Sequence, residues 1–511
     1  MPKLGIDFGT TNSLAVAYDK KEHQFHYFNY IGSKVVPTSS TVWYHDNKIE
    51  IGKVARDNIN KFSDVDGHHF EKSIKSSFGT DTNRYVFGKP VKPHEIASLI
   101  IKELKDNAIK NQAEDIGIDM SKAVFTVPIN FSGKARNDLR KSANDAGLEV
   151  STFIHEPFAA IIGYYFTSIQ TSYDDVLSKL RSLDGQYLLT FDWGGGTLDI
   201  TVVKVEGGKM KEVGTAELSG IAGDEFDKKI ANFVWNKFCD KVSDNYSRAE
   251  LEKIKNEKWD RLLANAERCK IDLSSREETD FYVDYITEDD DIDEIVSQDD
   301  LNELLNDSLE LANARISEAL KTAGIDANEI SHVLLTGGTC YIPAVQEKMK
   351  KRFGHRVEIV KDADLVIAQG AAVISELGWL PFLTKDILVE LCDDSYWAMF
   401  EKGTPVAAEK DAERSEVFTC VDQRKDIAKI IICEGTDQQK DKNLAILNVP
   451  VLGDHRFGDD IYVQATLDKD IVLTIKAHSK MVMGYDERTE NYSIQKTAKI
   501  HQLCFGLSFE V

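Results

Sequence analysis

Positive charge is in short supply: 62 Lys and Arg stand against 85 Asp and Glu in 511 residues, a formal net charge of −23. That balance argues against a general nucleic-acid or anionic-membrane binder, while leaving room for a local anion site. No apolar run approaches the roughly 18 residues of a membrane span. The N-terminus enters a strand at once, Leu4 to Phe8, without a signal-peptide pattern. Seven cysteines are scattered from Cys239 to Cys504 and none forms a CxxC pair. This fits a reducing compartment, with a cytoplasmic location expected, and offers no zinc or redox site. Cys239, Cys269 and Cys433 stand in apolar patterns and are expected in the core. There is no GxxxxGK[ST] segment, which excludes a P-loop enzyme. The acidic stretch 288–300 lacks the Asp-x-Asp-x-Asp-Gly spacing of a calcium loop and reads as a solvated loop.

What is present is enough for real cores: 42% of the residues are hydrophobic. The length points to two to four units. The most informative stretch is Leu189 to Ile200, Leu-Thr-Phe-Asp-Trp-Gly-Gly-Gly-Thr-Leu-Asp-Ile. An apolar strand runs into Asp192, three glycines turn the chain, and a second strand runs to Val205. Such a hairpin leaves backbone N–H groups free to face an anion, with Asp192 and Asp199 at the same spot. A tight turn without a ligand has the same local pattern. A second copy weighs against that reading. Gly5 to Val16 reads Gly-Ile-Asp-Phe-Gly-Thr-Thr-Asn-Ser-Leu-Ala-Val, again a strand into Asp, a Gly/Thr turn and a strand. The repeat points to two related halves facing each other across one site.

Between and after these hairpins the chain alternates helices and short strands. Helices are predicted from Pro93 to about Ala113, from Ser132 as a cap to Ala146, and from Glu156-Pro157 onward. Residues 168–186 read as a polar surface crossover. Asp224 reads as the cap of a helix carrying Phe226, Ile230 and Val234. Charged helices are expected over Arg248 to Lys270 and Leu301 to Thr322. The strand Val333 to Leu335 meets a third turn, Thr336-Gly337-Gly338-Thr339. Helices follow from Pro343 and from Asp364. After residue 380 the periodicity changes to short runs at Ile387 to Leu391, Ala428 to Cys433, Ile461 to Thr466 and Ile471 to Ala477, which predicts a separate β-rich unit.

Taken in order, Gly5-Ile-Asp-Phe-Gly-Thr-Thr-Asn-Ser13, Val127-Pro128, His155-Glu-Pro-Phe-Ala-Ala160, Phe191 to Asp199, Gly223-Asp-Glu-Phe-Asp227, Ala266-Glu-Arg-Cys-Lys270 with Leu273-Ser274, and Leu335-Thr-Gly-Gly-Thr339 resemble the 70-kDa heat-shock chaperones. The resemblance is strong over residues 3 to 378 and weaker beyond. It implies an α/β, two-lobed, actin-like ATPase with ribonuclease H-like sheets, followed by a small β-sandwich-like domain. The implied division is 1–380, with lobes 1–187 and 188–380, a linker and first strand at 381–391, and a β-rich peptide-binding domain at 392–511.

The resemblance also implies ATP and Mg2+ in the cleft, with ADP as product and K+ as a further candidate ion. Carried over by position, Asp7 acts through water on the metal, and Gly9, Thr10, Thr11 and Asn12 form the first phosphate loop. Lys75 positions the attacking water, although its spacing alone reads as an exposed lysine. Glu156 and Asp192 are the acidic partners of metal and water. Gly194, Gly195, Gly196 and Thr197 form the second phosphate loop, with Gly223 beside it. Glu267, Lys270 and Ser274 hold the nucleoside, and Gly337 and Gly338 form the third loop.

Several positions depart from the family pattern. Tyr341 takes the place of an arginine that stacks on the adenine; a tyrosine keeps the stacking but loses the charge and the fork. Ala363-Asp364-Leu365 replaces Pro-Asp-Glu, and Trp193 is bulkier than the usual leucine. Asp386 to Leu391 resembles the coupling segment between the domains and also reads as an ordinary first strand. Residues 395–405 are shorter than their counterpart, and Asp422 to Lys425 reads as the next loop. No long helix is expected after Ala477, so a helical lid is expected to be absent. The implied function is an ATP-dependent chaperone binding extended or unfolded polypeptide, with a J-domain co-chaperone as a candidate partner. The alternative is an ATPase-switched module for a specific protein partner.

Overall fold

In the computed structural model the described residues are 3–509, apart from 32, 112–116, 170, 288, 361, 407–409, 422–425, 437–439, 452–458, 480–484, 487–490, 493–494, 502 and 504. The segment 422–425, expected as a loop, therefore lies outside the described residues.

Two sheets carry the repeated hairpin. In the first, the strand order is Glu149–His155, Asp119–Val127, Lys3–Phe8, Asn12–Asp19, Gln24–Tyr27, with Thr38–Ser39 also on Asn12–Asp19. In the second it is Val357–Ile359, Ile330–Thr336, Tyr187–Trp193, Thr197–Glu206, Lys209–Ser219, Phe505–Ser508, Pro381–Leu383. Each centre is an antiparallel hairpin flanked by a parallel strand, Asp119–Val127 beside the first and Ile330–Thr336 beside the second. Both strands of each hairpin are buried nearly throughout, which explains their continuous apolar runs.

Helices Glu156–Ser168 and Val366–Leu377 cross where the two sheets meet. Their contact depends on missing side chains. A Cβ on Gly370 would overlap the Ala159 carbonyl, and one on Gly163 would overlap the Val366 carbonyl. Ala159, Ala160, Ala371 and Ala372 are all buried in that seam. Backbones this close let two sheets share one floor.

The remaining strands form two four-stranded antiparallel sheets. One runs Tyr396–Phe400, Asp386–Glu390, Ile427–Gly435, Lys440–Pro450; the other runs Ala412–Thr419, Asp460–Leu467, Leu473–Ser479, Lys496–Ile500. Alternate residues point into one core: Ile430, Ile432, Leu447 and Val449 from the first, Val463, Ala465, Ile475 and Ala477 from the second. This is a β-sandwich. Among the described residues no helix follows Leu377.

Local differences from the sequence reading have simple causes. Residues 168–186 contain a helix, Tyr173–Arg181, capped by Ser172, because Val176, Leu177 and Leu180 share a buried face. The acidic stretch is not a loop: Ile292–Ser297 pairs with Glu278–Val283, burying Ile292 and Val296 while the acids stay outside, and a helix begins at Gln298. Asp224 lies in the first turn of its helix rather than at the cap, and Asp364 precedes a helix that starts at Val366. Cys269 and Cys433 are buried, whereas Cys239 is only half-buried. Asp386–Glu390 is an interior strand of the first sandwich sheet, while Pro381–Leu383, just before it, is the edge strand of the seven-stranded sheet.

Candidate functional site

The two hairpins bring their aspartates to the floor between the sheets. Asp7 ends the first strand opposite Leu14, and Asp192 stands opposite Asp199. Lys75 lies on a short 3-10 turn, Ile74–Ser77, entered through Ser73 at φ 56°. It is 9% exposed, not a surface lysine, and its Nζ donates to Glu156 Oε1 at 3.0 Å. Glu156 opens its helix ahead of Pro157, so the helix N-terminus adds a partial positive charge beside the carboxylate.

This cluster holds two buried carboxyl groups, Glu156 and Asp199, two half-buried ones, Asp7 and Asp192, and one buried ammonium, Lys75. Burial pushes Asp192 well above its ordinary range, with Glu156, Asp199 and Asp7 adding to the effect. Burial likewise lifts Glu156 to about 7 and Asp199 to about 6. Asp7 is raised by burial too, but Lys75 and a hydrogen bond from Thr126 Oγ1, at 2.8 Å, oppose the rise. For Lys75, burial works against the charge, yet Glu156, Asp7 and Asp192 together hold it above its ordinary value. An excess of buried negative charge wants a cation. Among the described residues no three His, Cys, Asp or Glu side chains converge closely enough to ligate a bare ion. The donor set fits a hydrated Mg2+ held largely through its waters, since that ion gives up its water reluctantly.

Above the floor, the two loops face each other. A Cβ on Gly195 would run into Thr11 Oγ1, and one on Gly196 would stand 3.3 Å from Thr10 Oγ1. Carbonyls of the second loop are tied back. Gly194 O accepts from Gly223 N at 3.1 Å and Thr339 Oγ1 at 2.9 Å, Gly195 O from Asp224 N at 2.8 Å, and Gly196 O from Gly220 N at 3.1 Å. Anchored carbonyls leave a rigid turn suited to an anion. Asp224 also accepts from Ser73 Oγ at 2.7 Å, joining the Lys75 turn to the second loop. Gly337, at φ 81°, lies against the Trp193 carbonyl and Asp192, where any side chain would collide. Trp193 itself is buried, edge-on to Phe191 and Phe226, with its indole N–H on Ile221 O.

Farther out, Lys270 donates to Gly223 O at 2.9 Å and pairs with Asp227 at 2.7 Å. Burial lifts Asp227 to about 6 despite that lysine. Glu267 is paired with Arg56 at 2.8 Å, and Ser274 Oγ donates to Lys270 O. Tyr341 is pinned by its hydroxyl, which accepts from Ala363 N at 2.8 Å. Tyr341 and Asp364 border a cavity of about 560 Å³ that Lys34, Val35 and Pro37 close from the other lobe.

Thr126, Asp224, Asp227 and Thr339 join this constellation without having been singled out. Asp224 and Asp227 sat inside a motif already recognised. Thr126 is an ordinary strand position whose partner only the register reveals.

Two sheets of like topology, sharing a helical floor and facing loops over a buried acidic cluster, define an actin-like nucleotide hydrolase. A family model described as Hsp70 protein matches residues 3–503, and the chain belongs to the Hsp70 family. It is accordingly an ATP-hydrolysing chaperone that uses ATP, ADP and Mg2+, couples nucleotide state to polypeptide binding, and works in a family served by J-domain co-chaperones. Among the described residues no helix is long and apolar enough to cross a membrane.

Proposed function

We propose that hydrolysis is carried by Lys75, Glu156, Asp192 and Thr197 on a nucleotide held by the three glycine loops. The buried Lys75–Glu156 pair between Asp7 and Asp192 carries this reading. Mg2+, when bound, supplies charge neutralisation at the β- and γ-phosphate oxygens. Asp7 and Glu156, with Asp192, would hold that ion through its waters. Lys75, fixed by Glu156, orients the attacking water. As the water oxygen bonds the γ-phosphorus and the bond from that phosphorus to the ADP oxygen breaks, the water's proton passes to Asp192, which burial and its carboxylate neighbours raise well above the ordinary range. Thr197 holds Asp199 through a 2.8 Å hydrogen bond and keeps the hairpin in register. Thr10, Thr11 and Gly194–Gly196 hold the phosphates, Glu267, Lys270 and Ser274 the nucleoside, and Tyr341 and Asp364 the base end. The catalytic unit is assigned to 1–380, the connection to 381–391 and the polypeptide-binding unit to 392–511. A cytoplasmic setting agrees with six free cysteines among the described residues.

Lys75→Ala tests the assignment. ATP turnover should fall about 100-fold with nucleotide affinity kept within a few-fold, since the lysine acts on the transition state. Unchanged turnover overturns its role.

A further inference from the structure

Glu212 is an acid at a place with no solvent: it lies on Lys209–Ser219 and is 3% exposed. Both oxygens are engaged. Oε1 is 2.8 Å from Nδ1 of His155, and Oε2 accepts from the backbone N–H of Phe505 at 3.3 Å. His155 is buried as well, and its Nε2 lies 3.5 Å from Nη2 of Arg136. A guanidinium only donates, so Nε2 accepts and Nδ1 carries the proton to Glu212. Arg136 in turn donates to the carbonyls of Asp470 and Ile471 at 3.0 Å. His155 immediately precedes Glu156, the partner of Lys75.

The group that completes this chain comes from the far end of the sequence. Phe505–Ser508 lies in the lobe's sheet rather than in the sandwich. It pairs Lys209 with Ser508, Met210 with Leu507 and Lys211 with Gly506 on one side. On the other it pairs Pro381 with Leu507, Phe382 with Gly506 and Leu383 with Phe505. The slot accepts only glycine at its centre: a Cβ on Gly506 would stand 2.5 Å from Phe382 Cζ and 2.7 Å from Met210 O. Phe505, Leu507 and Phe509 are buried, and the Phe505 ring meets His155 edge-on at 5.6 Å.

We propose that Glu212 and His155 are positioning residues for ATP hydrolysis, and that the strand Phe505–Ser508 keeps Glu212 in place. The inference rests on the role assigned to Glu156. With the strand seated, Phe505 N–H and His155 hold Glu212 between them, the imidazole is fixed, and the helix start at Glu156 stays in register with Lys75. Without it, a buried carboxylate loses a donor and its cover, and the pull on His155 changes. Hydrolysis by the catalytic unit 1–380 is therefore tuned by the seating of residues 505–508.

The test uses the full chain. Gly506→Val should lower kcat for ATP at least tenfold while leaving ADP affinity within threefold. Amide exchange should rise at 209–211 and 381–383 with the protection of 187–205 kept. Glu212→Gln, close in shape and able to remain in the fold, should lower kcat by a similar factor with the same unchanged affinity. The double variant should lose no more than the worse single, because both act through one group. A kcat within twofold of the parent in Glu212→Gln, or losses that multiply, overturns the proposal. Glu156→Gln run alongside separates the premises. If it leaves turnover unchanged, the role of Glu156 fails. If it lowers turnover while Glu212→Gln does not, only the positioning claim fails.

Discussion

Asp7 and Asp192 occupy matching places at the ends of matching strands, yet the fold treats them differently. Next to Asp7 the parallel neighbour offers Thr126, whose hydroxyl donates to the carboxylate at 2.8 Å. Next to Asp192 the parallel neighbour also offers a threonine, Thr336, directly in register. Among the described residues, however, the Thr336 hydroxyl has no hydrogen-bond partner. Burial acts on both acids. Lys75 opposes it at both; at Asp7 Thr126 adds to that opposition, whereas at Asp192 the three other carboxylates reinforce the rise. One backbone plan thus yields an acid suited to stay charged beside a cation and an acid suited to take up a proton.

The strongest way to break this comparison is to neutralise each acid in turn. Asp192→Asn should lower kcat about 100- to 1,000-fold with nucleotide affinity nearly kept, as expected for loss of a proton acceptor. Asp7→Asn should instead raise the Mg2+ concentration needed for half-maximal turnover. Steady-state kinetics over a magnesium series separates the two. If both variants move the same parameter, the acids are equivalent and the distinction fails.

A second test asks whether the cluster as a whole resists ionisation. Glu156, Asp192 and Asp199 have folded-state values above their unfolded ones, so the folded chain holds protons that the unfolded chain has already lost. Stability without nucleotide should therefore fall as pH rises from about 4 through about 7, the span set by Asp199 and Glu156. Asp199, lifted to about 6 from 3.8, accounts for roughly 3 kcal/mol of that decline. Urea midpoints across the pH range should show a shallower slope in Asp199→Asn, and an identical slope would refute the assignment. Magnesium nucleotide should flatten the slope in the parent, because a bound cation offsets the buried charge.

How much of this was legible beforehand follows from the kind of signal each feature leaves. The hairpins were visible because a glycine turn after an apolar strand into Asp is a local pattern, and it occurs twice. The sandwich strands at 427–435, 460–467 and 473–479 were visible through their alternation. Ala412–Thr419 and Lys440–Pro450 were not, because exposed and charged positions interrupt their period; nor was Tyr396–Phe400, five apolar residues in a row with no alternation, and only pairing with a neighbour defines all three. The burial of Lys75 was invisible, since its flanks, Ser73, Ser76 and Ser77, look solvated and its partners lie up to about 117 positions away, at Glu156, Asp7 and Asp192. The insertion of 505–508 into the lobe's sheet had no local mark at all. Register between distant strands is a tertiary property, and a single chain displays it only once folded.

The finest test concerns the threonines that distinguish the two acids. Thr126→Val keeps shape and burial but removes the donor to Asp7. Its loss should lift Asp7 further and cost about 1 kcal/mol of the preference for its charged form, read as a several-fold rise in the magnesium requirement at the lower of two pH values that narrows at the higher. Thr336→Val should leave the magnesium requirement and its pH dependence unchanged, because its hydroxyl makes no bond to give up. It should be neutral or slightly stabilising, since replacing an unpartnered buried hydroxyl by a methyl group relieves a desolvation cost. Magnesium titrations of turnover at the two pH values, with urea midpoints for both variants, would place the asymmetry between the lobes on one hydrogen bond. Equal responses at the two threonines would place it on the surrounding charges instead.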